Sequence, residues 1–373
     1  KVCLRDRVKV LHVITGLAAG GAEQQLRFLL PHLGARCEVA VLTGRGAVAD
    51  AIERAGVPVH AIGMRGNRDL RAVGRLARLM RKHRYEVVHT HLYRACVYGR
   101  LAARLANVPA IVATEHSIGR AQIEGRRLTH PVRALYLASE LLGHLTVAVS
   151  PTVADRLSKW GVPRSRIVVI PNGVDAAAFG FDAALRRRAR ERLGVPENAF
   201  VIGGVGRLEP GKRFDLLIEA MATLEHATLL LVGSGTCEPR LRELARSVGV
   251  AGRVLFTGES ADVRAMLSAM DVLAAPSVEE AFGLAVVEAL ACGLPVLYDT
   301  CPAVEDLPPG SAPGARRVGP DRLAAELAAL AARPPGRLPP PEAVRLYDVR
   351  RQADRLESLY LRLLGALPKE EQR

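Results

Sequence analysis

Residues 276–296 read PSVEEAFGLAVVEALACGLPV, and this stretch decides how the rest of the chain is interpreted. It predicts a loop that runs into a helix at Gly283 or Leu284, followed by a Gly-x-Pro turn that leads into a strand. Two carboxylates, Glu280 in the loop and Glu288 in the helix, lie eight positions apart. A loop, a helix and a strand in this order are typical of an α/β fold.

The start of this helix predicts a binding site for a diphosphate. The first N–H groups of a helix lack intrahelical partners, and the positive end of the helix dipole points back at the loop. Glu288, about one turn into the helix, is placed to accept hydrogen bonds from the vicinal hydroxyls of a ribose. Glu280 would face the other end of the diphosphate, where a transferred sugar is attached.

A second loop carries two cations that suit the same ligand. Residues 204–212 read GVGRLEPGK and follow the first predicted strand of the second half of the chain. Arg207 can grip two phosphate oxygens and Lys212 can act as a point charge, although both could also be ordinary surface cations. The Gly-Ser-Gly sequence at 233–235 either helps to admit a nucleotide or only turns the chain.

Composition limits the possible classes of protein. The chain has 373 residues, of which 49% are hydrophobic, so it is long enough for two domains with separate cores. Because no apolar run reaches the ~18 residues of a membrane span and the N-terminus lacks a signal-peptide pattern, we expect a cytoplasmic location. The six cysteines are scattered without metal-ligand spacing, which predicts small buried side chains.

The net charge of +14 has three interpretations. It can reflect a solvated arginine-rich surface, since only six of the 52 basic residues are lysine. It can also indicate peripheral contact with an anionic membrane, because basic residues crowd two segments, at 71–84 and 120–127. Nucleic acid is the least favoured partner, because aromatic residues make up only 4% and no recognition motif is present.

Short apolar runs alternate with helical patterns, which predicts two doubly wound parallel sheets with helices on both faces. The turn cluster at 170–175 divides the chain into Rossmann-like domains at 1–170 and 171–345, with a crossover helix and tail at 346–373. The final helical pattern, from about 342 to 364, is expected to cross back to the first half, and the last few residues to fray. Strands are predicted at 9–14, 37–43, 57–62, 86–91, 109–114 and 144–149, and then at 200–205, 227–232, 253–256, 271–274 and 295–298.

Two such sheets in tandem would leave a cleft at the carboxyl ends of their strands, where these folds bind ligands. On that side of the first half, Gly20 and Gly21 either approach a ligand or form a tight turn. His116 is a candidate for a sugar or phosphate contact, and the alternative is a satisfied structural histidine. His89 and His91 follow another strand, but a His-x-His pair without further ligands does not make a metal site.

These motifs together resemble the retaining, nucleotide-sugar-dependent glycosyltransferases of family four, which have the two-Rossmann-domain architecture called GT-B. The resemblance covers nearly the whole chain. It is most specific at Arg207, Lys212, Glu280 and Glu288, in that order and spacing. Weaker matches are the Gly-Gly-Ala-Glu segment at 20–23, Thr-x-His at 114–116 and Pro-Asn-Gly-Val-Asp at 171–175.

The resemblance implies a role for each matching residue. Arg207 and Lys212 would bind the donor diphosphate together with the amides of Phe282, Gly283 and Leu284. Glu288 would hold the ribose and Glu280 the hydroxyls of the donor sugar. His116 would lie beside the transferred sugar, and Gly20 and Gly21 would close on the donor from the first domain. The family often has a second Gly-Gly where this chain has Cys301-Pro302. Because this difference lies next to the predicted donor loop, the resemblance does not identify the transferred sugar.

The implied reaction is transfer of a hexose-type sugar, most simply from a UDP-sugar, with retention of configuration. With two fixed cations and a helix start to stabilise the departing diphosphate, no metal and no cofactor are expected. The acceptor would be lipid-linked, a polysaccharide or a small natural product, and assembly of a cell-surface glycan is favoured.

Other classes stay open on the sequence alone. A nucleotide-sugar epimerase or a phosphorylase can share this architecture, and a non-catalytic sugar-nucleotide-binding protein is also possible. A dinucleotide oxidoreductase is disfavoured, because no G-x-G-x-x-G opens a helix after the first strand of either half.

Overall fold

The computed structural model describes residues 8–18, 20–119, 122–123, 126–260 and 262–366. The chain forms two compact units, one of residues up to 173 together with those from 349 onward, and one of residues 174–348. The chain changes units three residues after the predicted boundaries at 170/171 and 345/346. Within the described parts, no helix is long and apolar enough to cross a bilayer.

The first unit is built on a seven-stranded parallel sheet. Its strands lie in the order β3-β2-β1-β4-β5-β8-β9, so the chain winds outward in opposite directions from β1 and β4. A separate antiparallel pair, β6-β7, lies outside this sheet. The strands are β1 (Lys9–Ile14), β2 (Arg36–Val41), β3 (Val59–Ala61), β4 (Val87–His91), β5 (Ala110–Glu115), β6 (Gln122–Ile123), β7 (Arg126–Arg127), β8 (Leu145–Ala148) and β9 (Ile167–Val169).

Helices cover both faces of this sheet, which is why strands such as β1 and β4 are buried over nearly their whole length. One helix from the far end of the chain, α16, joins this unit. The helices of the first unit are α1 (Gly21–Leu29), α2 (Gly46–Arg54), α3 (Arg71–His83), α4 (Tyr93–Leu105), α5 (His130–Glu140), α6 (Pro151–Trp160) and α16 (Val349–Leu363).

The second unit has a six-stranded parallel sheet in the order β12-β11-β10-β13-β14-β15, which is the Rossmann strand order. The strands are β10 (Phe200–Val205), β11 (Ala227–Val232), β12 (Val254–Phe256), β13 (Val272–Ala275), β14 (Val296–Tyr298) and β15 (Ala315–Arg317). The helices are α7 (Ala176–Phe179), α8 (Ala183–Leu193), α9 (Phe214–Ala220), α10 (Glu238–Ser247), α11 (Val263–Ala269), α12 (Leu284–Ala291), α13 (Pro302–Glu305), α14 (Pro320–Ala332) and α15 (Glu342–Leu346).

The predicted fold class, α/β with two Rossmann-like doubly wound parallel sheets, is confirmed. All eleven predicted strands are present, and four strands were missed: β6, β7, β9 and β15. β6 and β7 have only two residues each. β9 and β15 are three-residue edge strands with exposed positions, so neither has the continuous buried run that marks a central strand. Three of the five described cysteines are buried as predicted, whereas Cys37 and Cys237 are half-buried, and Cys3 lies outside the described residues.

The predicted final helix crosses back to the first unit, but it is interrupted. It consists of α15 and α16, because Tyr347 and Asp348 between them bond to the chain near Val174: the Val174 N–H donates to the Tyr347 carbonyl at 2.7 Å. α16 then packs its apolar side into the core of the first unit, and Gln25 of α1 donates to Gln352 at 2.8 Å. The predicted fraying concerns residues 367–373, which lie outside the described residues.

Gly173 lies where the outgoing chain crosses the start of α16. Its N–H donates to the Gln352 side chain at 3.0 Å, and a Cβ at this position would be 2.4 Å from the Cα of Val349. Only a residue without a side chain allows the two backbones to approach this closely.

We therefore expect Gly173→Ala to lower the melting temperature by several degrees, since relieving the clash requires a backbone shift that costs about 1–3 kcal/mol. Thermal unfolding followed by circular dichroism measures the change. Gly74→Ala is the matched control, because Gly74 is exposed in α3 with no atom within 4 Å of an added Cβ. A Gly173→Ala protein as stable as the control would contradict the crossing.

Candidate functional site

The predicted donor residues of the second unit lie in the two loops that follow β10 and β13. These neighbouring central strands are where the winding of the sheet changes direction, and such a switch point leaves a crevice at the carboxyl ends of the strands. The Val278 N–H donates to the Gly211 carbonyl at 3.1 Å and ties the two loops together. The 206–212 loop and the 276–283 loop therefore form one site.

The shape of the 206–212 loop depends on glycine. Gly206 has φ +144°, and the Lys212 side chain lies across it, because a Cβ there would be 3.3 Å from the Lys212 Cε. A Cβ on Gly233 would be 2.1 Å from the Gly206 carbonyl oxygen. The Leu208 N–H also donates to the Ser234 carbonyl at 2.8 Å, so the Gly-Ser-Gly turn supports this loop by close packing.

The structure brings Lys212 and Glu280 into direct contact. The Lys212 ammonium donates to Oε1 of Glu280, and the two side chains are 26% and 18% exposed. Arg207 is exposed on the same loop, and its guanidinium has no hydrogen-bond or ion-pair partner among the residues that the structure describes. The site therefore has one paired cation and one cation available to an anion from solution.

α12 starts at Leu284, as predicted. Gly283 caps it with φ +100°, and its carbonyl accepts from the Val286 N–H at 3.0 Å. The amides of Leu284 and Ala285, in the first turn, point out of the helix start and are available to an anion. Phe282 is buried and packs edge-to-face on Tyr347, with ring centroids 4.9 Å apart.

Cys301 occupies the space next to Gly283. A Cβ on Gly283 would be 2.5 Å from the Cys301 sulfur, which contacts the Phe282 carbonyl at 3.5 Å. The Ala303 N–H donates to that carbonyl at 2.8 Å. The cysteine, where the family often has glycine, thus fixes the backbone of the donor loop and leaves less room beside it.

Glu288 lies one turn into α12. Its side chain keeps some exposure, but the protein packed around the carboxyl removes enough water to raise its pKa to about 7. Within the described chain, this carboxyl has no hydrogen-bond or ion-pair partner. A poorly hydrated carboxylate without a protein donor favours a ligand that brings hydroxyl groups.

His116, Gly20 and Gly21 lie in the first unit. Gly20 directly precedes α1, its carbonyl accepts from the Gln24 N–H at 3.0 Å, and a Cβ on it would be 2.3 Å from the Glu23 carboxylate. His116 follows β5, the strand next to β4 in the sheet. The glycine turn and His116 are thus both at carboxyl ends of strands in the first sheet.

His116 ends a chain of three imidazoles. Nε2 of His116 is 3.1 Å from Nδ1 of His91, and Nε2 of His91 is 3.0 Å from Nδ1 of His12. Burial lowers the pKa of His116 to about 4 and that of His12 to about 3, and it also lowers the pKa of His91. The three rings are therefore neutral at physiological pH.

Each neutral ring carries one N–H, so both hydrogen bonds form only if all three N–H groups point the same way along the chain. The nitrogens at the two ends, Nδ1 of His116 and Nε2 of His12, are buried and have no hydrogen-bond partner in the part of the chain that the structure describes. His116 consequently presents either a donor or an acceptor at Nδ1, according to the direction in which the chain is protonated.

His12 was missed by the sequence analysis. It stands in the middle of an apolar strand and looks like a core position, and the signal that could have found it is its register opposite His89. Each ring nitrogen of His89 forms a hydrogen bond with a hydroxyl group: Nδ1 with Tyr360 and Nε2 with Thr114, each at 2.6 Å. The predicted His-x-His pair is thus part of a larger hydrogen-bonded core.

Two family models match the chain. The model described as Glycosyltransferase Family 4 matches residues 19–178, and the model described as Glycosyl transferases group 1 matches residues 186–307. Together they account for about three quarters of the sequence.

Curated relatives and solved structures agree with these models. A D-inositol 3-phosphate glycosyltransferase of Salinispora arenicola is 34% identical over 240 residues, which cover 57% of this chain and 53% of the relative. A UDP-Gal:alpha-D-GlcNAc-diphosphoundecaprenol alpha-1,3-galactosyltransferase of Escherichia coli is 30% identical over 239 residues, or 62% of each chain. The chain thus spans between half and two thirds of the length of these two relatives.

The crystal structure of Anabaena HepE in complex with UDP and glucose has a TM-score of 0.82 and 23% identity, and covers 97% of this chain and 100% of its own. The shared fold, the two matched models and the order of the motifs lead to one assignment. The chain belongs to the group 1 glycosyltransferases of family four, which have the GT-B fold.

Proposed function

We propose that the protein transfers a hexose-type sugar from a nucleotide diphosphate sugar, most simply a UDP-sugar, to an acceptor hydroxyl with retention of configuration. The observation that carries the proposal is the ion pair at the switch point of the second sheet, between Lys212 in the loop after β10 and Glu280 in the loop that runs into α12. The set also includes an exposed Arg207 and the Glu288 carboxyl, which has no partner among the described residues.

In this proposal the donor diphosphate replaces Glu280 as the ion-pair partner of Lys212. The phosphates would bind Lys212, Arg207 and the first amides of α12, while Glu280, released from the cation, accepts hydrogen bonds from the sugar hydroxyls. Charges fixed in a partly buried site stabilise a departing diphosphate without reorganisation at the moment of reaction. The proposed transfer therefore needs no metal ion and no cofactor.

Retention is proposed to follow a front-face route, in which the departing phosphate takes the proton of the acceptor hydroxyl. A Glu280 engaged first with Lys212 and then with sugar hydroxyls is badly placed to act as a covalent nucleophile.

His116, with Gly20 and Gly21, would contact the transferred sugar from the first unit. The neutral state of His116 suits hydrogen bonding rather than charge neutralisation.

A UDP-sugar donor is supported by the bound UDP in Anabaena HepE and by the named donor of the Escherichia coli relative. The names of the curated relatives point to polyol phosphate or lipid-linked acceptors. We favour an acceptor in cell-surface polysaccharide or glycolipid assembly, and a small natural product is the alternative.

Peripheral contact with an anionic membrane, at the cytoplasmic face, is part of this proposal. In α3, Arg71, Arg78 and Lys82 are exposed, whereas Arg75 is engaged with the Ile62 carbonyl at 2.9 Å and with Asp69. In the second basic segment, Arg120 is outside the described residues, and only the backbone of Arg126 and Arg127 is described.

Lys212→Ala should lower turnover at least a hundredfold, because it removes a fixed cation from the departing diphosphate. The assay measures UDP release and product mass from UDP-sugars with membrane extract as acceptor source, in the presence of EDTA to test metal independence. Lys159→Ala, on the exposed side of α6, is the control and should keep wild-type turnover. Near-normal transfer by Lys212→Ala would disprove the role of Lys212.

Glu280→Gln distinguishes the role of Glu280 from that of Lys212. The variant should bind UDP at least as tightly as wild type, because the competitor for Lys212 is gone, but it should transfer the sugar more slowly.

The same assay tests the other classes of function. Change of the sugar without UDP release would indicate an epimerase, and tight UDP binding with neither reaction would indicate a binding protein.

UDP binding near pH 7 should release a fraction of a proton from Glu288. Its pKa in the unliganded protein, about 7 against an ordinary 4.5, falls when ribose hydroxyls donate to the carboxylate. Affinity should therefore rise with pH between about 6 and 8. Because phosphate also titrates near 6, titration calorimetry in two buffers compares wild type with Glu288→Gln. Equal proton release by the two proteins would contradict the ribose role.

The raised pKa of Glu288 also makes the stability of the protein depend on pH. The folded state binds this proton more tightly than the unfolded state, so the stability it contributes is complete below pH 4.5 and is lost as the pH rises through about 7. Glu288→Gln should accordingly melt at a higher temperature than wild type at pH 8, and at nearly the same temperature at about pH 4, which is below the unfolded-state pKa.

Replacing Arg71, Arg78 and Lys82 by glutamine should weaken binding to vesicles of phosphatidylcholine and phosphatidylglycerol at least tenfold, since each basic residue near an anionic surface contributes about 1 kcal/mol. Co-sedimentation measures it. The matched control replaces Arg187, Arg188 and Arg192, which are exposed on α8, and has the same net charge. Equal losses in both proteins would show that net charge, and not α3, attracts the membrane.

A further inference from the structure

A cluster of two histidines and one glutamate lies at the edge of the first sheet, away from His116 and the glycine turn at Gly20. Glu38 is in β2, His60 is in β3 and His83 is the last residue of α3. Nε2 of His60 is 2.6 Å and Nδ1 of His83 is 3.6 Å from Oε2 of Glu38. One ligand atom from each of the three lies within 4.8 Å of the other two.

We propose that Glu38, His60 and His83 bind a divalent transition-metal ion of the zinc class. Two imidazole nitrogens and one carboxylate oxygen are a ligand set that zinc uses in proteins, at about 2.0–2.2 Å. Ligands at that distance around a tetrahedron are roughly 3.3–3.5 Å apart, and the present separations of 2.6 and 3.6 Å bracket this value. Small side-chain movements therefore suffice to admit the ion.

The side chains of the cluster are accessible to solvent and are held in place by contacts with a neighbouring residue. The three side chains are between 23% and 28% exposed, so an ion can enter and a water molecule can fill a fourth position. The Tyr85 hydroxyl donates to Glu38, and the Tyr85 ring stacks on His83 with an interplanar angle of 2°. Such outer partners orient the ligands of metal sites.

The position of the cluster assigns the ion a structural role. Glu38 is near the start of β2, and the end of α3 leads back to the start of β4, so the cluster lies at the amino-terminal side of the sheet. His116 and Gly20 lie at carboxyl ends. A bound ion would join β2, β3 and α3, and this inference does not depend on the proposed transfer, which stays metal-independent.

A second set of nitrogens, from His12, His89 and His91, is also close enough for a metal. These rings are fully buried. Both nitrogens of His91 already bond to His12 and His116, and both nitrogens of His89 bond to the hydroxyls of Tyr360 and Thr114. An ion would have to break these hydrogen bonds in the core, so we assign the metal to the edge cluster.

The test is titration of the tag-free full chain with Zn²⁺ and with Co²⁺, whose visible spectrum reports the ligands. We expect one equivalent to bind, with tetrahedral Co²⁺ bands and a melting temperature about 5 °C higher at hundredfold excess over Kd. His60→Ala and Glu38→Gln should weaken binding at least a hundredfold. Tyr85→Phe, which keeps all three ligands, should weaken it tenfold or more.

His226→Ala is the control, because His226 is exposed on the second unit and belongs to neither set; its binding should equal that of wild type. Absence of a stoichiometric site in the wild-type protein would overturn the proposal. So would binding that survives both His60→Ala and Glu38→Gln but is lost in His91→Ala, since the ion would then belong to the buried set. If either ligand variant fails to fold by circular dichroism, the Tyr85→Phe titration decides.

Discussion

The proposed donor site depends on the change of winding direction in a parallel sheet. β10 and β13 are neighbours, but the chain leaves them toward opposite edges of the sheet, so the loops after them diverge and leave a hollow at the carboxyl ends. Close packing of glycine backbone keeps this hollow narrow. Gly233 packs on the Gly206 carbonyl and Gly283 packs on Cys301, and a methyl group at either glycine would push the loops apart.

Within that hollow, electrostatics organises the empty site. A partly buried ammonium is costly unless it is paired, and Glu280 supplies the partner in the absence of substrate. The pair also keeps both side chains in place, so in the proposed reaction the donor would replace one partner by another instead of ordering two mobile side chains. Glu288, in contrast, accepts no hydrogen bond from the residues that the structure describes, and burial raises its pKa to about 7. Under the proposed role, ribose hydroxyls would supply the missing donors.

Much of this arrangement could be predicted from the sequence because it is local. The Gly-rich loops, the helix start at Leu284 and the alternation of strands and helices are each specified within a few residues. The resemblance assigned Lys212 and Glu280 to one ligand but did not predict their direct contact. These residues are 68 positions apart, and they meet because β10 and β13 are adjacent. The break between α15 and α16 was not predictable, because it depends on a hydrogen bond from Val174 in a distant part of the chain.

The contacts among the histidines were also not predictable, because they join residues that are distant in the sequence. His12 and His91 are 79 residues apart, and only their places in adjacent strands bring their nitrogens to 3.0 Å. Burial then makes them neutral hydrogen-bonding groups whose tautomers are coupled to that of His116. His60 and His83 meet Glu38 in the same manner, but at a half-exposed edge where water and ions have access. One residue type thus serves as a neutral link in the core and as a metal ligand at the edge, because the two places differ in exposure and in the nearness of a carboxylate.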